Sequence, residues 1–133
     1  MYLFDTDTLS NLISKRPSAR LLSKLAHVSP KEQFTSAITV GEIYYGVHKS
    51  PRANDLKERL EKLVWPKVQI ISFDRKAAEV YGQVRAELEK SGKPLAEADL
   101  MIAGISLSRN LALITGNIKH FGRVKGLKVE NWL

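Results

Sequence analysis

The sequence has no cysteine. That absence removes a disulfide framework, a thiolate nucleophile and any zinc site built on cysteine. It also suits a reducing compartment, so a cytoplasmic protein is the expectation. No apolar run approaches the ~20 residues of a membrane-spanning helix. The opening Met1-Tyr2-Leu3-Phe4-Asp5-Thr6-Asp7 has neither the basic start nor the long apolar stretch of a secretory leader. Internal repeats, low-complexity tracts and long linkers are likewise missing, and with 133 residues the expectation is a single domain spanning positions 1–133. Apolar residues make up 44%, which is ordinary for a folded protein and excludes a largely disordered one. Acidic residues are scarce beside basic ones, 14 Asp and Glu against 21 Lys and Arg, giving a net charge of +7. Such an excess favours contact with a polyanion, although it also serves plain solubility. The basic residues are spread along the chain, so no single tract marks a binding arm.

What is present alternates between short apolar runs and amphipathic stretches. Tyr2-Leu3-Phe4 reads as a strand ending at Asp5. Thr6 or Asp7 then suits the cap of a helix through about Lys15, with Leu9, Leu12 and Ile13 on its apolar face. Positions 19–28 read as a second helix and 34–38 as a second strand. Thr39-Val40-Gly41-Glu42 matches the Thr-x-x-Glu capping box, which predicts a helix starting there and reaching Lys49. A charged amphipathic helix follows over 52–63, and a β-branched strand over 68–71. Asp74 caps the next helix, whose apolar positions are Ala77, Tyr81, Val84 and Leu88. From Asp99 the chain turns almost wholly apolar through Leu107, the pattern of a helix buried on all sides. Strands over 111–114 and near 127–129 complete the series. Strands alternating with helices predict an α/β fold: three layers, with a mainly parallel central sheet of about five strands and helices on both faces.

In open parallel sheets, ligands bind beyond the carboxyl ends of the strands. Asp5 follows the first strand directly, Glu42 opens the helix after the second, and Thr115 and Asn117 follow the fourth. Asp99 starts the helix leading into that fourth strand, so it joins the others only if the helix start faces the same crevice. Carboxylates brought together repel one another unless a cation compensates them or a proton is shared. Oxygen ligands without cysteine point to Mg²⁺, with Mn²⁺ possible, rather than zinc. Each acid also has a structural reading. Asp5 suits a helix cap, Glu42 suits the capping box alone, and Asp99 suits the positive end of a helix dipole. Asp7 reads as a cap or as support behind the ligands. Glu97, about 200° around the helix from Asp99, reads as solvent-facing or as support behind the ligands.

Four features share one order: an acid closing the first strand, Gly41-Glu42-Ile43, Asp99-Leu100-Met101-Ile102-Ala103, and Thr115-Gly116-Asn117-Ile118-Lys119-His120-Phe121. With the ending Gly126-Leu127-Lys128-Val129-Glu130-Asn131-Trp132, the chain resembles PIN-domain ribonucleases. Within them it resembles the VapC toxins, the nuclease halves of type II toxin–antitoxin pairs. The resemblance covers nearly the whole chain. It implies Mg²⁺ or Mn²⁺ held by Asp5 and Asp99 with Glu42 completing the set, cleavage of RNA, a homodimer, and inhibition by a cognate antitoxin. It departs from the commoner pattern at Asn117, where many relatives carry a fourth acid. An amide oxygen still orients a water or meets an ion, but adds no charge.

Thr6 and Thr115 stand as hydroxyls near the metal or as turn formers. Lys119, His120, Arg123, Lys125 and Lys128 form a basic segment that suits RNA phosphates or a solvated surface equally. His120 has no partner that would make it a zinc ligand. One of Tyr44 and Tyr45 is expected in the core or at a dimer contact. Two rival readings remain. Asp5-Thr6-Asp7 supplies the Asp-x-Asp of a haloacid-dehalogenase-like phosphohydrolase, but Leu9 stands where that pattern wants Thr or Val, and Asp99 has no adjacent acid. The other is a non-catalytic RNA-binding module of the same fold.

Overall fold

The structure is a computed structural model and describes residues 1–133. Strand β1 (Tyr2–Phe4) is only three residues long, yet it feeds both sides of the molecule. Successive strand side chains point to opposite faces. Leu3 is therefore buried in one core and Phe4 in the other. Strand β4 (Ala112–Ile114) divides Leu113 and Ile114 in the same way. Burying side chains of this size stabilises the fold by about 1.5–3 kcal/mol each.

The remaining strands are β2 (Gln33–Ser36), β3 (Gln69–Ile71) and β5 (Val129–Glu130). All pairings are parallel, and the spatial order is β3-β2-β1-β4-β5. The chain moves outward from β1 to β3, then returns to build on the other side of β1. The order therefore reverses between β1 and β4, where the carboxyl ends of a parallel sheet leave a crevice.

One face of the sheet is covered by α5 (Arg75–Lys90) and α6 (Glu97–Ser108). The other is covered by α1 (Thr6–Leu12), α2 (Ala19–Leu25), α3 (Ala37–Lys49) and α4 (Ala53–Arg59), which runs on into a π turn over Leu60–Val64. A four-residue helix, α7 (Ile118–Phe121), follows β4. The expected three-layer fold with five parallel strands is what the chain adopts. No helix is long and apolar enough to cross a membrane.

Helix α6 is apolar on every side because it is enclosed on every side, with Leu100, Ile102, Ala103, Ile105 and Ser106 all buried. Gly104 lets it approach α5 closely: a Cβ there would stand 2.8 Å from the Ala77 carbonyl oxygen. The helix gives way to β4 through Asn110, the one non-glycine residue with positive φ, at 54°. Asparagine tolerates this left-handed conformation better than most residues. Helix α5 starts as expected, with Asp74 accepting from the Ala77 amide at 3.0 Å.

Several boundaries differ from expectation, and one difference bears on the site. Strand β2 stops at Ser36, and Ser36, not Thr39, caps α3 by accepting from the Thr39 amide at 2.9 Å. Thr39 is fully buried, and its hydroxyl meets that of Ser36 at 3.0 Å. The Thr39–Glu42 capping box therefore does not form. The hydroxyl three residues before Thr39 takes the amide that the box would have ordered. Glu42 is left exposed in the second turn of α3, free of any capping role.

Candidate active site

Asp5 sits at the switch point. Its amide donates to the Ile114 carbonyl at 2.9 Å, which extends the pairing of β1 with β4 by one residue. Its side chain then caps α1, where Oδ1 accepts from the Thr6 amide at 2.8 Å, so the cap is Asp5 rather than Thr6 or Asp7. Oδ2 accepts from the Thr115 hydroxyl, also at 2.8 Å. The residue is buried, and burial pushes its carboxyl up from 3.8 to about 6. The bonds from Thr6 and Thr115 oppose that shift, and the charges of Asp7 and Asp99 add to it.

Asp7 does support work. Its Oδ2 accepts from the Gly116 amide at 2.8 Å, tying the start of α1 to the loop after β4. Oδ1 lies 3.4 Å from the hydroxyls of Thr8 and Thr115. Thr8 also donates to the Ile114 carbonyl at 2.9 Å. Gly116 is required by this closeness, since a Cβ there would stand 2.8 Å from Asp7 Oδ2 and 3.1 Å from Leu133.

Glu42 comes from the next element over. The Thr6 hydroxyl donates to its Oε1 at 2.6 Å, so α1 and α3 meet at the crevice. Asp99 lies in the first turn of α6 and is half-buried. Its carboxyl is raised, first by burial, then by Glu42, with His120 opposing and Asp7 adding. The condition set by the sequence is thus met, and for a simple reason. A helix that feeds a parallel strand runs against it, so it begins at the strands' carboxyl edge. Asp5, Asp7, Glu42 and Asp99 act on one another there.

Asn117 stands one residue beyond Gly116, before α7. Its amide nitrogen in the backbone donates to Thr115 Oγ1 at 3.0 Å, so Thr115 links Asn117 to Asp5. Its side-chain amide meets His120 Nδ1 at 2.9 Å. Lys119, His120, Arg123, Lys125 and Lys128 are all exposed. Glu97 faces solvent as expected, bonded to the Tyr81 hydroxyl and paired with Arg85. Tyr44 is half-buried and accepts from Trp65 Nε1 at 2.9 Å, while Tyr45 is exposed beneath the Lys49 ammonium.

The donor set suits a hard divalent cation in its chemistry: carboxylate oxygens, an amide and hydroxyls, without sulfur. Seven ion pairs form in this strongly basic chain, and none uses Asp5, Asp7, Glu42 or Asp99. Their mutual repulsion therefore has no lysine or arginine to relieve it. Asp5, Glu42 and Asp99 share a crevice, but no group of three acidic or histidine side chains stands arranged as a finished coordination shell. Glu42 turns one oxygen to the Thr6 hydroxyl, and Asp5 turns its two to the Thr6 amide and the Thr115 hydroxyl.

Sequence reading did not foresee the Asp7–Gly116 contact or the Asn117–His120 contact. A glycine separated by one residue from the end of an apolar strand is the available signal for the first, since it marks close backbone approach. Nothing local signals the second.

A family model described as PIN domain matches residues 2–127. A curated relative, "Ribonuclease VapC2" of Rickettsia felis, is 33% identical over 99% of this chain and 98% of its own length. Another, "tRNA(fMet)-specific endonuclease VapC" of Shigella flexneri, is 31% identical over 98% of this chain and 97% of its own. Among solved structures, the crystal structure of VapBC2 from Rickettsia felis bound to a DNA fragment from their promoter contains a chain that superposes with a TM-score of 0.90. That chain is 31% identical over 99% of this chain and 98% of its own.

Proposed function

This chain belongs to the PIN-domain family, and from that premise we propose that it is a single-domain, divalent-metal-dependent endoribonuclease of the VapC kind. It hydrolyses RNA phosphodiester bonds and pairs with a cognate antitoxin. The observation that carries the reading is electrostatic. Four carboxylates from β1's end, α1, α3 and α6 meet at the sheet's switch point without a lysine or arginine partner, in a chain of net charge +7.

Asp5 and Asp99 are the residues that would hold Mg²⁺ or Mn²⁺, with Glu42 completing the set. When bound, such an ion supplies an activated water at neutral pH and neutralises charge on the phosphate. The chain's own residues do the rest. Thr115 fixes Asp5 Oδ2 and Thr6 fixes Glu42 Oε1, so two carboxylates keep their orientation. Asp7 holds the Gly116 backbone and so sets where Asn117 stands. The Asn117 amide orients the attacking water. The exposed basic residues from Lys119 to Lys128 take the RNA phosphates on either side of the cut, offsetting the repulsion that the acids exert on a polyanion. A homodimer in the cytoplasm completes the proposal, in line with the resemblance to VapC toxins.

The phosphohydrolase reading needs Asp7 as a free acid/base partner, but Asp7 Oδ2 accepts from the Gly116 amide and is committed to the loop after β4. The test of the nuclease reading is incubation of purified protein with total RNA, with Mg²⁺ and with EDTA. Cleavage that EDTA abolishes is expected. Metal-dependent RNA binding without cleavage would instead favour the non-catalytic module.

A further inference from the structure

We propose that His120 is a positioning residue for Asn117, holding its side-chain amide so that the carbonyl oxygen, not the NH₂ group, is presented to the crevice. The inference rests on the nuclease reading and adds a residue to it. Asn117 Nδ2 lies 2.9 Å from His120 Nδ1. The amide NH₂ is a donor only, so in this pairing Nδ1 accepts and the ring proton sits on Nε2. One N–H of the amide is then committed to His120, which fixes which end of the amide faces the ring. Asn117 Oδ1 has no hydrogen-bond donor within the chain and stays available to a water or an ion.

Three further observations support the arrangement. Asn117's backbone is fixed independently, because its N–H donates to Thr115 Oγ1 at 3.0 Å. Thr115 in turn donates to Asp5 Oδ2 at 2.8 Å, so the Asn117 backbone is keyed to the acid at the centre of the site. With the backbone held, amide orientation is the freedom that remains, and His120 removes it. His120 also lies within electrostatic reach of Asp99, so the exposed imidazole borders the acids. The spacing is local: positions 117 and 120 lie one turn apart, with Asn117 preceding α7 and His120 within it. An amide held this way supplies what a carboxylate at that position would supply by symmetry. A carboxylate presents an acceptor whichever way it is turned, whereas an amide does so in only one of two orientations.

The test compares His120→Ala, His120→Gln, Asn117→Ala and the Asn117→Ala/His120→Ala double variant in RNA cleavage, with nitrogen NMR of the imidazole as a readout independent of activity. Glutamine keeps an acceptor oxygen on a flexible arm. We expect His120→Ala to lower kcat about tenfold with KM changed less than about twofold, and His120→Gln to recover most of that loss. The double variant should be no slower than Asn117→Ala alone, because both substitutions remove the same interaction. NMR of the metal-free wild type should show Nδ1 unprotonated, and Asn117→Ala should shift that signal. Equal losses in the alanine and glutamine variants, additive losses in the double variant, or a proton on Nδ1 would each overturn the proposal. A wild type that cleaves no RNA would bring down the nuclease reading, and with it the purpose of the pair, while the NMR arm would still report whether the pair exists.

Discussion

The hydroxyl of Thr115 donates to Asp5 Oδ2 across 2.8 Å, joining residues 110 positions apart in sequence at the one place where the strand order reverses. Thr115 is fully buried and its Oγ1 also accepts from the Asn117 amide, so one side chain aligns the ends of β1 and β4. Thr115→Val keeps the shape and removes both bonds. Leaving the Asp5 oxygen and the Asn117 amide unpartnered should cost about 1–3 kcal/mol in urea unfolding. RNA cleavage should fall at least tenfold at saturating substrate. Thr115→Ser, which keeps the hydroxyl, should retain most activity.

Gly116→Ala tests the neighbouring contact. The added Cβ would stand 2.8 Å from Asp7 Oδ2, so Asp7 must swing away and release the Gly116 amide. Because the obstructing atom is a side-chain tip, the stability loss should be modest, about 1–2 kcal/mol. The loss of cleavage should be the larger effect. Asp7→Asn keeps an acceptor for Gly116 and should stay within about threefold of wild type, whereas Asp7→Ala should resemble Gly116→Ala.

The raised carboxyl of Asp5 makes a pH prediction for the protein in EDTA. Its folded value, about 6, lies above its ordinary 3.8, so the folded state holds the proton more tightly than the unfolded chain does. The resulting stability is fully present below pH ~4 and is lost as pH rises through 6, amounting to about 3 kcal/mol at most. Asp99 is shifted in the same direction. Asp5→Asn should therefore gain stability relative to wild type on going from pH 4.5 to 7.5, read as a difference in unfolding free energy. A difference that does not change with pH would contradict this. Divalent cation should stabilise wild type more at pH 7.5 than at pH 5, because it favours the charged carboxylates.

Gly104→Ala carries the same logic into the core. A Cβ there would stand 2.8 Å from the Ala77 carbonyl oxygen, which is backbone and cannot turn aside. Helices α5 and α6 must separate, at a cost of about 1–3 kcal/mol in thermal or urea unfolding. Since α6 carries Asp99, metal affinity should weaken too, although position 104 lies in the buried interior of the helix.

The strands and the long helices were legible because their signals are local: β-branched runs, the Asp74 cap, and the unbroken apolar stretch after Asp99. The acids were legible as a group because parallel-sheet logic puts the residues after β1 and β2 at one edge. The capping-box alternative for Glu42 fails because Ser36 and Thr39 both offer a hydroxyl near the start of α3, and the helix begins at Ala37, which puts Ser36 in the cap position. Helix α7 has four residues, too few to show a period. The Asp7–Gly116 bond spans 109 positions, and no pattern along the chain encodes a contact of that range.

The central claim is that Asp5, at the end of β1, and Asp99, at the start of α6, form one metal-dependent site for cutting RNA. The most direct measurement is single-turnover cleavage of RNA by wild type, Asp5→Asn and Asp99→Asn at saturating Mg²⁺, with folding of each checked by circular dichroism. The account predicts that wild type cleaves and that each variant, though folded, is slower by at least about a hundredfold. Cleavage by folded Asp99→Asn at the wild-type rate would contradict it.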